Sequence, residues 1–150
     1  MNQQVQTFAH QPVMVQEVLD ALAIEPGGKY IDCTLGGAGH ATAILESTQG
    51  AQVLGIDADP DAVTASIAKL APFAHAALVV HGDFIDLEQI AQSNEFLPAQ
   101  GVLFDLGLSS NQLERENRGF SFASENPLDM RFDPTKGVPA SELVNTIHEV

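Results

Sequence analysis

An apolar run, Tyr30-Ile31-Asp32-Cys33, leads straight into the glycine-rich turn Thr34-Leu35-Gly36-Gly37-Ala38-Gly39-His40, which opens a helical pattern from Ala41 to Leu45. Glycine supplies backbone angles closed to other residues, and its missing Cβ lets main-chain N–H groups come close to a ligand. A strand, such a turn and a helix, in that order, form the nucleotide-binding corner of a doubly wound α/β fold. Asp57 closes the next apolar run, Gln52 to Ile56, about twenty residues on, where a carboxylate would accept from ribose hydroxyls.

The rest of the chain alternates. Val15, Val18, Leu19 and Leu22 make a helical stripe that Pro26-Gly27-Gly28 breaks before the first strand. Asp59-Pro60 reads as an N-cap followed by a first-turn proline, starting a helix that runs to about Leu70. Ala77 to His81 reads as strand, Asp86 to Asn94 as helix, Gly101 to Leu106 as a fourth strand, and Pro139 to Ile147 as a last helix. Continuous apolar strands separated by helices predict a parallel sheet covered on both faces, with ligands at the carboxyl ends of the strands. The segments to inspect are therefore Gly36 to His40, Asp57, Asp83-Phe84 and Asp105 to Ser110. From Gly107 to Pro139 no regular element is expected, but embedded Phe120, Phe122, Leu128 and Met130 favour an ordered functional loop. A doubly wound sheet normally continues to at least a fifth strand. Residues 1–150 are accordingly expected to be the front part of a larger protein, the sheet incomplete at the C-terminus, with Val150 a truncation.

Six Lys and Arg against twenty Asp and Glu leave a net charge of −14, which argues against a general nucleic-acid binder. The positive charge is concentrated, however: after Lys29 and Lys69 it falls at Arg115, Arg118, Arg131 and Lys136, where any polyanion would be expected to bind. Met1 to Gln11 has no signal-peptide pattern, and no run approaches the roughly 20 apolar residues of a membrane span, so no membrane partner is expected. With Cys33 as the single cysteine, the reading is a cytoplasmic protein and a buried strand thiol. Asp57, Asp59 and Asp61 imitate a calcium loop, but Ala62 replaces its glycine, and no His/Cys set has zinc spacing, so no metal is expected.

Several motifs together carry a resemblance: His10-Gln11-Pro12-Val13-Met14, Gly36 to His40, Gly55-Ile56-Asp57, Asp105-Leu106-Gly107-Leu108-Ser109-Ser110, Gln112-Leu113, Arg118-Gly119-Phe120-Ser121-Phe122 and Pro127-Leu128-Asp129-Met130-Arg131. From about His10 onward the chain resembles the bacterial small-subunit rRNA cytosine-N4 methyltransferase family. The resemblance implies a methyltransferase-type, Rossmann-like doubly wound domain, S-adenosylmethionine as methyl donor, and a cytidine of 16S rRNA, in the free RNA or the small ribosomal subunit, as target. It implies donor contacts from the turn Gly36, Gly37, Ala38, Gly39 and His40, from Asp57 on the ribose, from Phe84 beside the adenine, and from Asp105 and Gln112 near the methionine end. Ser109, Ser110, Arg118 and Arg131 are candidates for the substrate side, and no catalytic residue is assigned. Ala38 departs from the family's usual glycine; its methyl group is strained if the turn needs a positive φ there, although alanine also occupies negative φ.

Two other readings share parts of this pattern. A nicotinamide-dependent oxidoreductase would use the same turn and Asp57 but would leave the segments 105–112 and 118–131 without a purpose. A truncated non-catalytic module, binding donor or a protein partner without turnover, fits the charge and the missing strands. For methyl transfer itself, positioning and desolvation dominate because a sulfonium is a good leaving group. The poorly nucleophilic cytosine amine would be helped by acceptors such as Asp105, Ser109 and Ser110, and the unstacked base by Phe120 or Phe122.

Overall fold

The computed structural model describes residues 12–109, 112–113, 118–122 and 125–147. Four parallel strands, β1 (Lys29–Asp32), β2 (Gln52–Asp57), β3 (Ala77–His81) and β4 (Gly101–Leu103), form one sheet in the order β3-β2-β1-β4. The chain builds outward from β1 through β2 to β3, then returns to lay β4 against the other side of β1. Strand order therefore reverses at β1, and the crevice beyond its carboxyl end is the switch point where ligands bind in such sheets. Helices α1 (Val15–Leu22), α2 (Gly39–Ser47), α3 (Pro60–Leu70), α4 (Leu87–Ser93) and α5 (Ala140–Thr146), with short 3-10 turns at Ala71–Phe73 and Phe84–Asp86, complete the described elements.

Side-chain alternation along the strands makes two cores. Tyr30 and Val53, paired in register, face one way and pack with Ile44 and Leu45 of α2, Leu70 of α3 and Leu19 and Leu22 of α1. Their neighbours Ile31 and Leu54, with Ile56, face the other way onto Ala91 and Ile90 of α4 and onto Phe96. Burying each of these large aliphatic side chains contributes roughly 1.5–3 kcal/mol, enough to fix the register of the central strands. Cys33 is buried in the second core. The expected start of α3 is observed: the Asp59 carboxylate accepts the Asp61 N–H at 2.9 Å, with Pro60 in the first turn.

The fourth strand is shorter than its apolar run suggested. Cys33 N–H still bonds Leu103 O at 2.9 Å, but Asp105 N–H leaves the ladder and donates to Thr34 Oγ1 at 2.7 Å. Beyond β4 the described residues between 118 and 141 are tied together by backbone hydrogen bonds. Met130 N–H donates to Arg118 O at 2.7 Å, and the first-turn N–H groups of α5, from Ala140 and Ser141, donate to Asp129 O and Leu128 O at 2.7 and 2.8 Å. Gly119 makes this packing possible: its φ is +74°, and a Cβ there would sit 2.5 Å from Pro127 O. Phe120 stacks at a tilt on Phe132, with centroids 5.5 Å apart, so one of the loop aromatics serves as an anchor, whereas Phe122 is fully exposed.

Candidate functional site

The turn after β1 is framed from several sides at once. Thr34 N–H donates to Asp32 Oδ1 at 3.1 Å, Leu35 N–H to Ile56 O at 3.1 Å, and Gly36 N–H to Asp57 Oδ2 at 2.6 Å. From α3, Ser66 Oγ donates to Gly36 O at 2.7 Å and Lys69 Nζ to Gly37 O at 2.8 Å. Ala38, the N-cap of α2, takes the left-handed conformation at φ 53° and is fully buried, so the positive φ is indeed required and alanine meets it. A Cβ placed on Gly37 would meet nothing within 4 Å, which leaves the turn open on its outer side. The first N–H groups of α2 have no partner within the helix.

Asp57 ends β2 with its two carboxylate oxygens tied to backbone: Oδ2 to Gly36 N–H, and Oδ1 to Asp59 N–H at 2.9 Å. A carboxylate has about four acceptor sites, so each oxygen keeps a further one for a hydroxyl. Burial raises the Asp57 carboxyl above its ordinary value, against the opposing pull of those two hydrogen bonds. Asp32, at the end of β1 and fully buried, is pushed up to about 6: burial is the main cause, the Thr34 N–H and His40 oppose it, and the charges of Asp57 and Asp105 add to it.

Across the switch point stand His40 and Asp105. His40 is buried; its Nε2 lies 2.9 Å from Val13 O and so carries the proton, while Nδ1 faces Asp105 Oδ2 at 3.7 Å. The Asp105 carboxylate is about half exposed. Phe84 follows β3 and Phe104 follows β4, on opposite edges of the sheet, yet their rings meet edge to face at 5.6 Å. The chain after β3 therefore runs back across the sheet and brings a half-exposed aromatic face toward β4.

The remaining candidates lie in a different arrangement. Ser109 and Gln112 form a reciprocal capping box: Ser109 N–H donates to Gln112 Oε1 at 3.0 Å and Gln112 N–H to Ser109 Oγ at 3.2 Å. Gln112 Nε2 then reaches Asp59 Oδ2 at 3.0 Å. Arg118 grips the same carboxylate with both terminal nitrogens, at 3.0 Å each, and also bonds Asp61 Oδ2 at 2.9 Å and Phe132 O at 2.8 Å. Burial alone would raise the Asp59 carboxyl, but Gln112, Arg118 and the Asp61 N–H together hold it below its ordinary value. Arg131 forks onto Asp129 at 2.7 Å through two nitrogens. That pair holds the Asp129 carboxyl down at about 2, with the side-chain hydrogen bond the main cause. Ser110 and Arg115 lie outside the described residues.

The structure thus brings Gly36 to His40, Asp57 and Asp105 together at the switch point, sets Phe84 against Phe104, and places Gln112, Ser109 and Arg118 around Asp59. The concentration of positive charge is not an open basic patch among the described residues. Lys29 donates to Glu95 O, Lys69 to Gly37 O, and Arg118 and Arg131 are forked, while Lys136 lies 3.6 Å from Asp133. Asp59 was legible in the sequence as a helix cap and as a member of a calcium-loop imitation, and Asp32 and Thr34 only as parts of the strand and turn. A buried acid at a strand end beside a glycine turn was the available signal for Asp32.

Residues 7–150 match the MraW methylase family. A protein of Thermomicrobium roseum named ribosomal RNA small subunit methyltransferase H is 54% identical over 138 residues, which make up 91% of this chain and 42% of that protein. Its namesake from Dehalococcoides mccartyi is 49% identical over 139 residues, 92% of this chain and 40% of the relative. The chain spans about two fifths of the length of the curated relatives it matches. Among solved structures, an rRNA methylase from Streptococcus thermophilus superposes with a TM-score of 0.51 at 20% identity, covering 62% of this chain and 54% of that one, a likeness of fold. With the family match running from the segment before α1 through the last described helix, this chain belongs to the MraW methylase family.

Proposed function

We propose that this chain carries the S-adenosylmethionine site of a methyltransferase acting on the N4 amine of a cytidine in 16S rRNA. The observation that carries the reading is the meeting of an open glycine turn with the Asp57 carboxylate at the switch point. Two of that carboxylate's acceptor sites hold the backbone, and the two that remain match a vicinal diol. The names of the relatives supply the rRNA of the small subunit as substrate class, and the family resemblance supplies the N4 position. The turn from Gly36 to His40 would cradle the donor, Asp57 would accept from its ribose, the exposed face of Phe84 would lie on the adenine, and Asp105 would face the methionine end. Gln112 would enter the site through Asp59.

When bound, S-adenosylmethionine supplies a methyl group on a good leaving group. The protein's part is to orient and to desolvate. Asp105, half exposed opposite His40, is the acceptor available to hydrogens of the target amine, which would localise the amine's lone pair. Ser109 spends its oxygen on the Gln112 N–H but keeps its hydroxyl hydrogen.

Calorimetric titration with S-adenosylmethionine and with NAD tests the donor. Saturable binding of S-adenosylmethionine alone is expected; binding of NAD alone would sink the reading in favour of an oxidoreductase. With a net charge of −14 and with Lys29, Lys69, Arg118 and Arg131 bonded within the chain, the 150 residues alone should show no measurable affinity for a 16S rRNA fragment at physiological salt. Methyl transfer to unmodified small subunits is then expected of a full-length family member and not of this chain.

A further inference from the structure

We infer that Arg118 is a positioning residue for donor binding, acting on Asp57 through Asp59, and that its charge is not offered to the RNA. The inference rests on the donor-site reading above. The path is continuous in hydrogen bonds. Arg118 holds both oxygens of Asp59, a fully buried side chain, in a planar fork that a lysine cannot reproduce. Gln112 Nε2 shares one of those oxygens, so the Asp59 carboxylate is held from several directions. The backbone N–H of that same Asp59 donates to Asp57 Oδ1, while the Gly36 N–H fixes Oδ2. The plane of the Asp57 carboxylate, and hence the direction of its remaining lone pairs, is thus set by one N–H from the glycine turn and one from a residue that Arg118 locks.

The guanidinium is nine-tenths buried, with Asp61 and Phe132 O among its other partners. Pulling it out to meet a phosphate would strand the buried Asp59 carboxylate, an expensive step. The arrangement also makes the segment after β4 sensitive to the donor. If Arg118 improves the fit of Asp57 to the ribose, a ribose on Asp57 must in turn stabilise the Arg118 segment.

The test compares Arg118→Met and Arg118→Lys with the unsubstituted chain in binding two probes by calorimetry: S-adenosylhomocysteine and its analogue lacking both ribose hydroxyls. Both variants should weaken S-adenosylhomocysteine by about tenfold, within the 5–150-fold span usual for coupled sites. They should leave the affinity for the dideoxy analogue unchanged. Asp129→Asn, which breaks the other arginine fork of the same segment at a side chain bonded to neither Asp57 nor Asp59, should change neither. Arg118→Lys retains the charge and most of the stem, so it decides the matter if the methionine variant does not fold. Equal loss for both probes would show that Arg118 merely maintains the fold, and no loss in a folded variant would show that Asp57 needs no such support; either overturns the inference. Failure of the unsubstituted chain to bind S-adenosylhomocysteine would instead overturn the donor-site reading, and this inference with it.

Discussion

Replacing Asp32 with asparagine should stabilise the protein at neutral pH and do little at about pH 4 and below. The carboxyl is fully buried and is raised from an ordinary 3.8 to about 6, chiefly by that burial. An acid whose folded pKa lies above its unfolded one holds its proton more tightly when folded. The folded state therefore carries no penalty below pH 3.8, and the penalty grows as pH rises from there through about 6. At 1.36 kcal/mol per pH unit, the gap between 3.8 and about 6 amounts to about 3 kcal/mol above pH 6. Asparagine has nearly the shape of the protonated acid, and its Oδ1 can still accept the Thr34 N–H, bonded at 3.1 Å in the parent. Urea unfolding of both proteins at about pH 4 and pH 7.5 reads the difference, with all other titrating groups common to the pair. The asparagine variant should lie within about 0.5 kcal/mol of the parent at the lower pH and be about 3 kcal/mol more stable at the higher. A difference that does not change with pH, or a parent that gains relative to the variant on the way to neutrality, would refute the argument. A burden of this size at the switch point is the kind retained for a ligand. S-adenosylmethionine is cationic, so saturating donor should narrow the gap at neutral pH.

Gly119→Ala should destabilise the chain by about 2 kcal/mol or more, since φ is +74° and the new Cβ would meet Pro127 O at 2.5 Å; thermal melting would report it, and an unchanged midpoint would contradict the packing described. Ala38→Gly should be nearly neutral. Relief of about 1 kcal/mol of left-handed strain is offset by glycine's greater unfolded-state entropy and by loss of a buried methyl group, each also of order 0.5–1 kcal/mol. A change above about 1.5 kcal/mol in denaturant unfolding would show that one of these terms is misjudged. Phe84→Ala should weaken S-adenosylmethionine in the calorimeter by about tenfold, the scale of 1–3 kcal/mol for an aromatic face under a base, while leaving the two cores intact because Phe84 belongs to neither.

What the sequence made legible and what it hid divide along chain distance. The strand runs, the N-cap at Asp59 and the turn before α2 are written in neighbouring residues, and the structure has them where periodicity and capping put them. The end of β4 is not written locally. Phe104, Asp105 and Leu106 are as apolar a continuation as a strand could want, apart from the acid, but Thr34 Oγ1, 71 residues earlier, takes the Asp105 N–H out of the ladder. Arg118 looked like a cation held for a polyanion because its partner, Asp59, lies 59 residues away. At Ala38 the two conformations open to alanine could not be separated from sequence; in the fold the residue is fully buried at φ 53°.

The order β3-β2-β1-β4 has a consequence for how the site comes into being. During synthesis β1, β2 and β3 can pair one after another as each emerges, since each new strand adds beside the last. β4 must travel back past two strands to the vacant flank of β1, closing a loop of about seventy residues, and such distant pairings are the slow ones. The Thr34 to Asp105 bond, the His40 to Asp105 approach and the Phe84 to Phe104 contact all wait for that return. Full donor affinity would appear with the last strand to dock, so a ligand titration on a refolding chain would time the completion of the sheet and not its nucleation.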